Sequence, residues 1–395
     1  MASPTLTHRR PVNVLVIGAN GYLGSAVCRA FLRAAPPQPC CFFRVYGLVR
    51  RQSTAPPLGA EEVIPIVGSV SETETLTQAI LSHSVTWDVI VICTEPSKTD
   101  SASEEQHWND LLTLVQRLSQ SSAKTSQSPV VRPMVLWSSG CKDYGTTKLH
   151  GDEHLTPHTE TSALVPHALV RGRMMGALHA LETCQAGNGE AEFDVAIIRA
   201  TPLYGYSSSY YSAAFDYMEA YAAAVSGKQD NILKLPQNPG TIMHGIHVDD
   251  CGDAYVALAK TAIGGAPSSA APGRSTSGRK SIAGEAFNIS SGQYETLGQV
   301  GAALAAEYGF TRGVQFNVKS DELPAELRGQ ETSLVFGYSQ WVSSEKIRAV
   351  TGWNDMRPLF HQNIKVFRNA YHATLELGSD NIRKTRQRMA GNWGD

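Results

Sequence analysis

Val12-Asn-Val-Leu-Val-Ile17, followed directly by Gly18-Ala-Asn-Gly21-Tyr-Leu-Gly24, is the stretch whose reading decides the fold. A short β-branched run that ends in glycine reads as a buried parallel strand. Tyr22 to Ala34 then has helical spacing, with Leu23, Ala26, Val27, Ala30 and Phe31 on one face, and stops at Pro36-Pro37. Three glycines between a strand and a helix have a mechanism. Gly18 permits the tight turn, Gly21 lets the backbone approach a ligand, and Gly24 lets the helix lie on the sheet. The helix's positive end favours a pyrophosphate, so this turn is expected to bind a dinucleotide.

The same pattern continues outward. Strand-like runs recur at Phe42 to Val49, Glu62 to Val67, Asp88 to Cys93, Pro133 to Trp137 and Phe193 to Ile198. Helical stretches lie between several of them, around 72–82, 104–120 and 172–185. Such alternation predicts an α/β protein with a Rossmann-type doubly wound parallel sheet. Beyond Arg199 the character changes. Residues 201–240 are rich in Tyr, Ser and Ala, with an amphipathic segment from Ala213 to Val225. His244 to Lys260 reads as a strand and then a helix, with Asp249 or Asp250 placed as its cap. Residues 264–281 and 121–129 read as mobile loops, 283–377 as a mixed α/β lobe, and the basic tail beyond Asp380 as frayed.

The end of the second strand bears on the cofactor. Tyr46-Gly-Leu-Val-Arg50-Arg51 offers no carboxylate for a ribose 2′-hydroxyl. Two guanidiniums suit a 2′-phosphate instead, so NADP(H) is expected ahead of NAD(H). The cofactor site is expected to take in Gly18, Asn20, Gly21, Tyr22, Leu23, Gly24, Arg50, Arg51, Ser69, Val70, Thr94, Ser138, Arg171, Thr201 and Leu203.

Charge and composition narrow the partners. The 395 residues carry 34 Lys and Arg against 36 Asp and Glu, scattered along the chain, for a net charge of -2. That is no footprint for nucleic acid or an anionic membrane, and a small-molecule substrate is expected. The cysteines, Cys28, Cys40, Cys41, Cys93, Cys141, Cys184 and Cys251, show neither C-x-x-C nor metal-ligand spacing and read as reduced thiols. With no apolar leader in Met1 to Pro11, a cytoplasmic protein is expected. His150-Gly-Asp-Glu-His154 lacks a third ligand nearby, so no metal is expected. A homodimer is left open.

Five motifs in order resemble the extended short-chain dehydrogenase/reductase superfamily, of the NAD-dependent epimerase/dehydratase type. They are Gly18-x-x-Gly21-x-x-Gly24, Ser138-Ser-Gly140 with Tyr144-Gly145, Ile198-Arg-Ala-Thr-Pro-Leu-Tyr-Gly205, His247-Val-Asp-Asp250 and Gly284-Glu-Ala-Phe-Asn-Ile289. The resemblance runs from about Val12 to Val300. It implies a Rossmann domain (1–200 plus 241–263) and a smaller discontinuous substrate lobe (201–240 plus 264–395), with the active site in the cleft between them. It also implies a catalytic Ser or Thr, and a Tyr and a Lys spaced Y-x-x-x-K on one helix face.

Here the resemblance breaks. Tyr144-Gly-Thr-Thr-Lys148 spells the pair but begins only five residues after Ser139, where the family's earlier Tyr-Gly belongs. That register puts Gly140 at the catalytic hydroxyl position. The helix that should carry the pair begins near Pro166-His-Ala-Leu-Val-Arg-Gly-Arg-Met-Met175, with neither Tyr nor Lys. His167 and Arg171 stand in their place at i, i+4 spacing, His167 as acid or base and Arg171 on ribose hydroxyls. Alternatively His167 is a helix cap. Ser139 and Tyr144 remain candidate donors. Tyr204, Tyr206, Tyr210, Tyr211, Phe215 and Tyr217 either line a substrate pocket or form lobe core. His244 either approaches the cleft or is structural.

Three functions follow from these residues. The first is an NADP(H)-dependent reductase or dehydrogenase of a small, partly apolar carbonyl compound or enone. The second is a non-redox isomerase, cyclase or lyase. The third is a non-catalytic NADP(H) sensor. The lack of an Arg or Lys cluster in 201–240 disfavours a nucleotide sugar.

Overall fold

The computed structural model describes residues 10–35, 42–96, 104–125, 131–186, 192–207, 210–226, 231–264, 277–328 and 333–379, with a few beyond. Seven parallel strands form the central sheet: β1 (Val12–Ile17), β2 (Phe43–Val49), β3 (Ile64–Val67), β4 (Val89–Ile92), β5 (Met134–Gly140), β6 (Asp194–Ala200) and β7 (Ala286–Ile289). Their order is β7-β6-β5-β4-β1-β2-β3. The order reverses between β1 and β4, and in such sheets ligands bind beyond the carboxyl ends of the strands at that reversal.

The continuous apolar character of β1 has a plain cause, because both faces of the sheet are covered. Val14 and Val16 enter one core, against α1 (Tyr22–Arg33) and a later helix at Val248–Ile263. Leu15 and Ile17 enter the other, against α2 (Thr73–His83), α3 (Glu104–Thr125) and α4 (Arg171–Ala186). A third core, separate from the sheet, joins α5 (Tyr210–Val225), α7 (Leu297–Glu307) and α9 (Ile364–Glu376). The helix Val248–Ile263 is α6, and Glu345–Thr351 is α8.

Two sequence expectations change. β7 pairs with β6 through Ala286↔Ile197 to Ile289↔Ala200, and Ile282, Phe287, Ile289, Ile347 and Trp353 pack in the sheet's own core. The sheet half therefore takes in residues the sequence reading placed with the second lobe (264–395). The reason is edge pairing: β6 would otherwise expose a row of backbone groups. At the start of α6, His247 is the cap, its Nδ1 accepting Asp249 N–H at 3.2 Å. Asp249 and Asp250 are buried, accept from Tyr206, Arg29 and Arg357, and tie α6 to its neighbours. The loops read at 121–129 and 264–281 are helical at 121–125 and 277–280, and Ile382 of the tail is buried in the third core, whereas 126–130, 265–276 and the tail from 387 lie outside the described residues.

Candidate functional site

The glycine turn has the geometry its sequence implies. Gly18 has φ +85°, and a Cβ on it would meet the Cys93 carbonyl oxygen at 2.6 Å. A Cβ on Gly24 would fall 2.2 Å from the Gly18 carbonyl oxygen, so only glycine lets α1 sit this close to the turn. The first turn of α1 has no acidic residue, and Gly21 supplies no side-chain cap. The first N–H groups of a helix have no partner within it, and a glycine turn ahead of them fits a dinucleotide pyrophosphate.

Around the turn the expected residues divide. Arg50 and Arg51 are exposed just beyond β2, and the Gly18 and Ala19 N–H groups donate to the Leu48 carbonyl that precedes them. Asn20 is partly buried in the turn, and Thr94 follows β4 beside Gly18. Ser69 pairs with Ser71 at 2.8 Å. The side chains of several others are committed elsewhere. Val70 is buried in a core, and Leu23 and Leu203 are partly buried against one. Tyr22 donates to Gly205 O at 2.6 Å, linking the turn to the second lobe. Ser138 bonds the buried Tyr255 hydroxyl at 2.7 Å, and Thr201 Oγ1 donates to Ile289 O at 3.3 Å.

The second wall begins at β5's carboxyl end, two strands from β1 and so roughly 10 Å across the sheet. Here Ser138-Ser-Gly140 runs into a tight turn, Cys141–Tyr144. Ser139 donates to Asp143 Oδ2 at 2.5 Å. Asp143 is fully buried, with Arg199 Nε at 3.4 Å and Arg173 at 3.6 Å. Burial pushes its carboxyl up, while Arg173, the Ser139 hydroxyl and Arg199 hold against it. Tyr144 is buried as well. It donates to Asn288 Oδ1 at 2.7 Å, accepts from Arg199 at 2.9 Å and stacks on His158. Burial raises its hydroxyl far above the ordinary tyrosine value.

Ser139 and Tyr144 thus hold the turn together rather than face the cleft. Lys148 lies on a non-helical stretch, half exposed and paired with Asp152 at 3.3 Å. Tyr144 and Lys148 share no helix face.

On the next helix the two expected residues part. His167 precedes a short turn, its Nδ1 accepting Leu169 N–H at 3.3 Å, and its ring meets Tyr338 edge-on at 6.4 Å. Arg171 is exposed. The basic residue turned to the sheet is Arg173, which reaches Glu95 after β4 at 3.3 Å and Asp143. A Cβ at Gly140 would meet its guanidinium at 2.6 Å, so the missing side chain at 140 is what admits Arg173. The sequence held a signal for this. Arg173, Ala177, Ala180 and Cys184 share one helical stripe, and the last three are core. Arg171 falls on the opposite face.

The aromatic cluster is mostly lobe core. Tyr204, Tyr211, Phe215 and Tyr217 are buried in it, and the Tyr204 hydroxyl donates to Pro358 O at 2.9 Å. The expectation that Tyr204 lines a substrate pocket is corrected, because that ring packs among Tyr211, Phe360 and Phe367. Tyr206 lies between the halves, bonded to Asp249 at 2.7 Å under Arg29. Tyr210 begins α5, and its side chain lies outside the described set. His244 is buried, with Nε2 donating to Ser291 O at 2.9 Å and Nδ1 accepting Val342 N–H at 3.2 Å. Both nitrogens are used, and burial lowers it to about 4.

The fold and the open helix end define a dinucleotide-binding α/β protein with a second lobe across the strand ends. A family model for the NAD-dependent epimerase/dehydratase family matches residues 14–269, and the chain belongs to that family. No curated protein sequence matches the chain. Among solved structures it resembles dTDP-glucose 4,6-dehydratase from Bacillus anthracis, in complex with NAD, at 15% identity and TM-score 0.60, covering 92% of this chain and 98% of that one. UDP-glucuronic acid 4-epimerase from Bacillus cereus, with UDP-glucuronic acid and NAD, matches at 14% identity and TM-score 0.56, covering 92% and 99%. UDP-glucose 4-epimerase from Thermus thermophilus, with NAD, matches at 14% and 0.55, covering 91% and 99%. At such identities the likeness speaks for the fold. Among the described residues no helix is long and apolar enough to cross a membrane.

Proposed function

We propose that this protein is an NADP(H)-dependent oxidoreductase acting on a small, partly apolar carbonyl compound or the corresponding alcohol. The observation that carries the reading is the uncapped glycine cradle at the head of α1 with Arg50 and Arg51, and no acid, just past β2. A nicotinamide bound there supplies or accepts a hydride. The chain's part is to hold the diphosphate on backbone N–H groups, to meet the 2′-phosphate with guanidiniums, and to handle a proton at the substrate oxygen. Arg173, held between Glu95 and Asp143, is the basic residue of that helix turned to the sheet, and in this reading it takes the ribose-binding part expected of Arg171.

A net non-redox reaction, epimerase- or dehydratase-like, is the second reading. It is favoured by the placement of Tyr144 and Ser139 in a buried network instead of the cleft. Mixing the protein with NADPH and a panel of ketones, enones and aldehydes separates the two. Stoichiometric loss of the reduced-nicotinamide absorbance supports the oxidoreductase, and product without that loss supports the non-redox reading. Binding of NADPH with neither outcome supports a sensor.

A further inference from the structure

The chain leaves the short strand Leu203–Tyr204 and turns toward α5 through two consecutive residues with left-handed backbone, Gly205 at φ +104° and Tyr206 at φ +46°. Glycine takes such a shape freely, and a Cβ on Gly205 would meet the His247 ring at 2.4 Å. Tyrosine does not. A bulky residue in that region is strained, and it persists only where its neighbours over-determine it.

Those neighbours come from two helices. From α6, Asp249 accepts the Tyr206 hydroxyl at 2.7 Å, and His247, which caps that helix, meets the Tyr206 ring edge-on at 5.6 Å. Asp249 is itself fixed by Arg29 of α1 at 3.2 Å and by Arg357 at 3.7 Å. From α1, the Arg29 guanidinium lies over the Tyr206 ring at 5.3 Å, and the Tyr22 hydroxyl donates to Gly205 O at 2.6 Å.

Tyr22 differs from the other contacts in its place along the chain. It is the first residue of α1, directly after Gly21, so its backbone belongs to the helix end that suits a diphosphate. Arg29 stands about two turns further along the helix, and the remaining contacts belong to α6. One residue therefore has its main chain in the dinucleotide turn and its side chain on the strained neck of the second lobe.

We propose that Tyr22 is a latch between the two. A dinucleotide that fixes the head of α1 also fixes, through the Tyr22–Gly205 hydrogen bond, the left-handed neck that leads into the second lobe. This rests on the dinucleotide reading of the glycine turn and is independent of which reaction follows. The coupling is reciprocal, because an ordered neck favours the ligand as much as the ligand favours an ordered neck. A Tyr22 that merely packs against the lobe would hold the neck equally with and without ligand.

The test is amide hydrogen exchange on the full chain, with and without saturating NADPH, read at residues 14–24 and 203–207. NADPH should slow both stretches, the neck by about tenfold. Tyr22→Phe keeps the ring and loses the hydroxyl. In that variant NADPH should still slow 14–24 but change the neck by less than about twofold. Tyr206→Phe removes the pin on α6 and keeps the latch, so its neck should exchange faster in both states and still be slowed by NADPH. A wild-type neck that does not respond to NADPH, or a Tyr22→Phe neck that responds in full, overturns the latch and leaves the dinucleotide reading standing. Loss of the response in Tyr206→Phe moves the coupling to α6 and overturns it as well. NADPH that leaves 14–24 unchanged in the wild type removes the dinucleotide reading, and the latch with it.

Discussion

The two walls of the cleft are built in opposite ways. The glycine turn and the head of α1 form one continuous stretch, Gly18 to Gly24, whose shape follows from local backbone rules. The opposite wall is assembled from the turn after β5, Arg173 on α4, Arg199 on β6, Asn288 on β7 and the distant strap at Gln340. A locally coded wall can lose a ligand without losing the fold. A wall assembled from afar cannot lose a member so lightly.

The largest expected effect falls on the assembled wall. Asp143→Ala leaves Arg199 buried without its carboxylate and should cost about 3–5 kcal/mol of stability, read by urea unfolding. A loss under about 1 kcal/mol would mean that Arg199 is held by Tyr144 alone. Gly21→Asp is the matching strike on the local wall. Its Cβ would sit 3.0 Å from Gly18 O at an ordinary φ, so the fold should survive. NADPH affinity should fall at least about a hundredfold, or roughly 2.7 kcal/mol by calorimetry, because a carboxylate meets the diphosphate. Unchanged affinity would remove the site from this turn.

Acid should destabilise the fold through two buried histidines. His244 titrates near 4 when folded against 6.5 in the unfolded chain, because burial disfavours its charged form. As pH falls below about 6.5 the unfolded state takes the proton first. The stability that neutral His244 contributes is complete above that pH and is lost on the way to 4, by about 3 kcal/mol. His247, also lowered to about 4 by burial, adds in the same direction. Unfolding measured across that window should show the slope, and His244→Asn should flatten it.

Smaller effects sharpen the cofactor end. Arg50→Ala and Arg51→Ala should each weaken NADPH by about 1.5–3 kcal/mol while sparing NADH, if each meets the 2′-phosphate. Equal losses for both cofactors would mean that neither arginine reads it. Lys148→Met, breaking only a solvent-exposed pair with Asp152, should leave turnover within about tenfold and the unfolding midpoint unchanged. A collapse of kcat there would restore the spelled Tyr144-x-x-x-Lys148 to the chemistry.

Much of the frame was legible from residue order. The runs predicted at Phe42 to Val49 and Asp88 to Cys93 appear as Phe43–Val49 and Val89–Ile92, and the helix predicted around 172–185 as Arg171–Ala186. Apolar periodicity and glycine placement act through nearest neighbours, so a sequence displays them directly. The absence of Tyr and Lys from Pro166 to Met175, which parts this chain from the resemblance, was legible too.

What only the tertiary structure decided is which side chains meet. That β7 completes the sheet depends on a free edge left by β6. That Arg173 rather than Arg171 turns inward depends on which stripe of α4 the sheet buries, and on the empty space at Gly140. That Tyr204 is core, and that Lys142 is buried against Tyr338, depends on segments more than a hundred residues apart folding onto one another. Local rules act within a turn or two of chain. Burial, ion pairing and the proton affinities that follow from them are set by neighbours in space.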